Sequence, residues 1–187
     1  MSHFLADDGV KIHVKVSGEG PPIIMLHGWT SSHQEWFPFL HELHKRHRIY
    51  RWDARGHGGH LLGNGTPPTA ERMARDLANL LDHYDLEKVV AVGHSMGVLT
   101  LWQYIRDNGT GRLAKLCFID QSPKLLTEPG WDHGIYGNFG KDKAGELMTW
   151  LEEDFAEGVL SRPCKMPETL ANSRFVTEIH PVKSPRI

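Results

Sequence analysis

Ser95 stands at the centre of Gly93-His94-Ser95-Met96-Gly97, and a serine so flanked becomes a nucleophile when its surroundings permit. The pentapeptide follows an apolar run, Val89-Val90-Ala91-Val92, and precedes a helically patterned segment from Met96 to about Asp107. A strand turning at once into a helix forces strained dihedrals on the residue at the turn, and flanking glycines leave room for it. The helix that starts there brings backbone N–H groups and the positive end of its dipole beside the serine, so the Met96 N–H is a candidate oxyanion donor. Trp29, in the loop after Ile23-Ile24-Met25-Leu26, is the candidate second donor. A serine hydroxyl attacks poorly until a histidine takes its proton, and that imidazole needs a carboxylate to hold its tautomer and offset its charge. Asp120, directly after Leu116-Cys117-Phe118-Ile119, is the candidate acid, because strand carboxyl ends are where such sheets bind ligands. The same residue reads equally well as the cap of a turn, Asp120-Gln121-Ser122-Pro123.

The elements that must position these groups alternate in kind. Val10, Ile12, Val14 and Val16 alternate with polar residues, the pattern of a strand covered on one face, and Gly18 to Pro22 ends it. Ile23 to Leu26 is apolar throughout, as a strand between two helical layers should be. Trp36, Phe37, Leu40 and Leu43 then recur at helical spacing, and Arg48 to Trp52 is a further strand candidate. After a Gly-rich loop from Arg55 to Gly65, Thr69 can cap a helix whose apolar stripe is Met73, Leu77, Leu80, Leu81 and Tyr84. With the strands at Val89 and Leu116 and the helix from Met96, this predicts a mostly parallel, doubly wound α/β sheet. Beyond Pro123 the pattern weakens. Gly130 to Gly140 is rich in glycine and aromatics, Lys143 to Glu157 reads as an amphipathic helix, and Arg174 to Ile179 is a last strand candidate.

Composition narrows the function classes. A chain of 187 residues with 40% hydrophobic content can build one real core. A formal net charge of −2 gives no footprint for nucleic acid or an anionic membrane, so the expected partner is a small, mostly uncharged molecule. Cys117 and Cys164 lack paired spacing and read as buried thiols, and His41, His44 and His47 read as a solvated helix face rather than metal ligands. No metal or cofactor is expected. The acidic start and the lack of a long apolar run predict a cytoplasmic protein.

His27-Gly28-Trp29, then Asp53-Ala54-Arg55-Gly56-His57-Gly58, then the serine pentapeptide, in that order and separation, resemble the α/β-hydrolase family in its esterase and haloperoxidase-like branch. The resemblance runs from the start of the chain to about Pro123. It implies a hydrolase core over 1–123, a reduced cap-like segment over 124–160, and a tail over 161–187 that matches a last strand and histidine loop on a chain shortened at its C-terminal side. It gives Asp53 and His57 a structural role and turns His94 away from the nucleophile. It also implies the chain order serine, acid, histidine, with His180, at the end of the last strand candidate, as the base. The alternatives are an unrelated tail without the true base, or His133 in the segment expected over the pocket; Asp132 and Asp142 are weaker substitutes for Asp120.

Three functions fit these residues. The leading one is a carboxylesterase-like serine hydrolase cleaving small ester or acyl substrates through an acyl-enzyme, with Trp29, Trp131 and Trp150 favouring hydrophobic acyl or aromatic groups. The second is a cofactor-independent dioxygenase or C–C hydrolase on the same fold. The third is a non-catalytic remnant that keeps the nucleophile half, whose uncovered sheet edge would favour a homodimer.

Overall fold

The computed structural model describes residues 2–59, 66–135, 138–155 and 159. The chain divides into two compact units, Met1–Gln121 and Ser122–Ile187.

The first unit is built on β1 (Ser2–Leu5), β2 (Lys11–Ser17), β3 (Pro22–Leu26), β4 (Arg48–Asp53), β5 (Val89–His94) and β6 (Leu113–Ile119). They form one sheet in the order β1-β2-β4-β3-β5-β6. β1 and β2 join antiparallel, β2 meets β4 antiparallel, and β4, β3, β5 and β6 run parallel. The mostly parallel sheet expected from the alternating pattern is therefore present, and the carboxyl ends of β3, β5 and β6 lie side by side, with Leu26 opposite Gly93 and His94 opposite Ile119.

Side-chain alternation on the central strands divides the core between the two faces of the sheet. Ile24, Leu26, Tyr50, Trp52, Val89 and Ala91 pack into one large cluster with Leu77, Leu80 and Leu81 of α2 (Ala70–His83) and Leu101 and Tyr104 of α3 (Met96–Asn108). Ile23, Met25 and Ile49 face the other way, onto Trp36 and Leu40. Period-2 alternation on strands that are apolar on both sides produces these two layers. Each fully buried leucine or isoleucine contributes about 1.5–3 kcal/mol relative to exposure, so the layers dominate the energetics of the unit. Thr69 caps α2 as expected, its side chain accepting from the Arg72 N–H.

Several expectations need correction. The segment at Trp36 is a 3-10 helix, His33–Phe39, followed by the short α1 (Leu40–Leu43). Pro38 lies inside it and lacks the N–H that an α-helix needs there, and Phe37 is 74% exposed rather than part of an inward stripe. β1 went unforeseen, because only Phe4 of its four residues points inward. Cys117 is exposed on β6, the last strand of the sheet among the described residues, and Leu116, Phe118 and Ile119 are exposed with it. His41 and His44 are exposed, as a solvated face requires, whereas His47 is half-buried with its Nδ1 shielded from solvent.

An ionic network with a buried centre and exposed outer carboxylates joins the start of the chain to α2. Arg55 and Asp76 are both fully buried and form a bidentate pair, Nε to Oδ2 at 2.6 Å and Nη2 to Oδ1 at 2.6 Å. Arg55 also reaches Asp8, and Arg72 reaches Asp76 and Asp7. The Arg55 hydrogen bond is the main influence on the Asp8 carboxyl and brings it down to about 2. A lowered carboxylate contributes stability above its unfolded value, near 3.8, and loses it as pH falls toward 2. Asp8→Asn should therefore reduce stability at pH 7 by about 0.5–1 kcal/mol, solvent screening of this exposed residue holding the effect below the full shift, and flatten the fall between pH 4 and 2, as read from urea unfolding at stepped pH.

In the second unit, Ser122 Oγ donates to the His133 carbonyl, Trp131 stands edge-on to the His133 ring, and α4 spans Lys141–Glu153. The predicted helix is thus present and begins two residues earlier than expected, at Lys141; its expected end, Glu157, lies outside the described residues. Cys164, the strand candidate Arg174–Ile179 and the proposed tail lie outside the described residues. Among the described residues, no helix is long and apolar enough to cross a membrane.

Candidate active site

Ser95 occupies the one-residue turn between β5 and α3 with φ 47° and ψ −112°, a conformation that costs of order 1–3 kcal/mol in a residue with a side chain. Its backbone N–H donates to the Ile119 carbonyl at 3.0 Å, and its own carbonyl accepts from Val98 as α3 begins. The turn is therefore anchored on both sides. Met96 is the first residue of α3, where backbone N–H groups have no partner within the helix.

The glycines of the pentapeptide are needed for contact. A Cβ on Gly97 would stand 2.2 Å from the Leu26 carbonyl oxygen, and one on Gly93 would stand 2.7 Å from the Gly97 carbonyl carbon. Both obstacles are backbone and cannot rotate away, so α3 rests directly on β3 because nothing protrudes between them. Gly97→Ala should cost about 1–3 kcal/mol or more and displace the serine turn, seen as a lower urea midpoint together with lost reactivity of Ser95.

The loop after β3 is held by His27, which is completely buried. Its Nδ1–H donates to the Gly28 carbonyl at 2.7 Å, and its Nε2 accepts from the Ala54 N–H at 3.0 Å. Two opposite demands on the two nitrogens fix one neutral tautomer, and burial lowers the pKa of the ring to match. Gly28 carbonyl and Trp29 N–H belong to one planar peptide unit, so anchoring the oxygen also orients the Trp29 N–H in the opposite direction. Sequence reasoning gave His27 no role; its place immediately before the glycine of a loop at a strand end is the signal that could have found it.

Asp53 and its neighbours support this loop. The Asp53 carboxylate accepts from the His33 N–H at 2.6 Å and holds His33 Nδ1 at 2.9 Å, which caps the start of the 3-10 helix. Gly58 allows the approach, since a Cβ there would meet the Asp53 carboxyl carbon at 2.3 Å. His57 packs against the His27 ring at 5.3 Å. The structural role expected of the Asp53 to Gly58 loop is what the geometry displays.

The remaining expected residues are placed as follows. Asp120 lies exposed at the carboxyl end of β6, with φ 47°, adjacent to the Ile119 carbonyl that holds Ser95. Ser95 Oγ donates to Gln121 Oε1 at 3.3 Å, a contact that the sequence reading, treating Gln121 as part of a turn, did not anticipate. His94 Nδ1 contacts Glu35 at 2.9 Å. Trp29 is partly exposed beside this cluster, whereas Trp131, His133 and Trp150 belong to the second unit. His180 lies outside the described residues. Among the described residues, no group of three or more His, Cys, Asp or Glu side chains is arranged to hold a metal ion.

A strained serine between a parallel strand and a helix, facing a loop at the next strand's carboxyl end, is the arrangement of a hydrolase sheet. The family described as alpha/beta hydrolase fold matches residues 21–146, and the chain belongs to that family. It is 36% identical over 130 residues to a non-heme haloperoxidase from Rhodococcus erythropolis, a match covering 68% of this chain and 47% of that protein. It is 32% identical over 148 residues to a pimeloyl-[acyl-carrier protein] methyl ester esterase from Vibrio campbellii, covering 78% of this chain and 52% of that protein. Among solved structures, an esterase from Exiguobacterium antarcticum superposes with a TM-score of 0.74 at 26% identity, over 84% of this chain and 58% of that one. The chain spans about half the length of the curated relatives it matches.

Proposed function

We propose that this protein is a carboxylesterase-like serine hydrolase that cleaves small ester or related acyl substrates through an acyl-enzyme. The observation that carries this reading is Ser95, held at φ 47° in the turn between β5 and α3 with its Oγ free of the α3 cap. Ser95 Oγ attacks the acyl carbon, the Met96 and Trp29 N–H groups stabilise the oxyanion, and a histidine supported by a carboxylate transfers the proton to the leaving group. Asp120 is the proposed acid and His180 the proposed base. The named esterases among the relatives and neighbours support this reaction class, and the partly exposed Trp29 supports a hydrophobic acyl group.

A second reading, a non-catalytic binding module, draws on the exposed Leu116, Phe118 and Ile119 of β6, the last strand of the sheet among the described residues and an apolar surface suited to association of two copies. One experiment separates the two. The purified protein is treated with a fluorophosphonate and with short p-nitrophenyl esters, with His180→Ala as a control. Labelling plus turnover that His180→Ala removes supports the hydrolase with its proposed base. A parent protein that neither labels nor turns over supports the binding module.

A further inference from the structure

Glu35 lies in the first turn of the 3-10 helix and is remote in sequence from the serine turn, yet its carboxylate joins the two loops of the site. Oε2 accepts the Gly28 N–H at 3.0 Å, and Oε1 accepts from His94 Nδ1 at 2.9 Å. A carboxylate only accepts, so the proton of the second contact resides on His94 Nδ1. The Glu35 side chain is 20% exposed, and the two loops it joins nearly touch, since a Cβ on Gly28 would stand 2.8 Å from that same Nδ1. Gly28 immediately precedes Trp29, and His94 immediately precedes Ser95 and Met96.

We infer that Glu35 is a positioning residue, a clamp that sets the separation between the two backbone donors proposed for the oxyanion. This rests on the serine hydrolase reading above. The His27 hydrogen bonds fix the tilt of the peptide that carries the Trp29 N–H, and the packing of Gly97 on the Leu26 carbonyl brings α3 against the end of β3. Beyond Leu26, Glu35 is the side chain that ties the loop to the serine turn and trims the gap between the donors, by bonding to the residue before one donor and to the side chain two residues before the other. A neutral glutamine can make both contacts, because its oxygen accepts the Gly28 N–H while its amide donates to His94 in the other tautomer. Alanine can make neither. Geometry, rather than charge, is therefore what Glu35 contributes.

Turnover of a p-nitrophenyl ester and residue-resolved amide hydrogen exchange by NMR, measured on the full chain for the parent, Glu35→Ala and Glu35→Gln, test this. The expected result is a kcat about 10- to 100-fold lower in Glu35→Ala with KM within about threefold, and recovery to near the parent in Glu35→Gln. Exchange at Gly28 and at Ser95 and Met96 should accelerate in Glu35→Ala while that in the core strands is unchanged, which separates the clamp from loss of fold. An active parent whose kcat is unaffected by Glu35→Ala, or a Glu35→Gln as impaired as the alanine variant, overturns the inference and leaves the serine reading standing. An inactive parent removes the serine reading, and exchange then decides the clamp alone: acceleration at both loops supports it, and no change at either overturns it.

Discussion

Ser95→Ala is expected to lower ester turnover by roughly five to six orders of magnitude and to abolish covalent labelling by a fluorophosphonate, with the fold intact. The size follows from the mechanism: without Oγ there is no bond to the acyl carbon, and the remaining catalysis is only what binding and the backbone donors supply. Removing a side chain from a strained turn imposes no clash, so the far-ultraviolet circular dichroism of the variant should match that of the parent. Residual turnover within tenfold of the parent would place the nucleophile elsewhere and end the reading of this site.

The second large effect is on stability. Asp76 is fully buried and binds Arg55 in bidentate fashion and Arg72 at 3.0 Å. Asp76→Ala leaves a guanidinium buried without its main counterion, which costs about 3–5 kcal/mol, whereas the intact pair is close to neutral against a well-packed apolar replacement. Urea unfolding should register that loss, with a fall in Tm of roughly 10 °C for a chain of this size. Arg55→Met combined with Asp76→Leu should regain much of it, because the double variant leaves no orphaned charge between those two positions. A loss below about 1 kcal/mol for Asp76→Ala would mean that water or another carboxylate replaces the pairing.

The legible parts of this protein were those where one residue's environment depends on its near neighbours. β3 and β5 are short runs apolar on both faces, and α2 shows a long stripe with a capping threonine, so pattern alone located them. Ser95 was legible because the turn demands glycines at fixed offsets, and Gly93 and Gly97 meet backbone where a side chain would stand. β1 escaped because its existence depends on antiparallel pairing with β2, from Leu5 opposite Lys11 to Ser2 opposite Val14, rather than on its own composition. The helical spacing around Trp36 was real but Pro38 tightened the geometry, and Cys117 read as a buried thiol although it is exposed on β6, which has no neighbouring strand on its outer side among the described residues. Glu35 could not be seen at all, since a glutamate on a short helix carries no mark of a histidine that the fold brings to it.

Ser95 and Asp120 share φ 47° at the ends of adjacent strands, tied by the hydrogen bond from the Ser95 N–H to the Ile119 carbonyl. Neither can relax toward an ordinary backbone conformation without pulling on the other, so the two turns form a single mechanical unit. The region where the chemistry is proposed thus holds two linked residues outside ordinary backbone dihedrals, and selection for heat resistance would meet a conflict with activity at this pair.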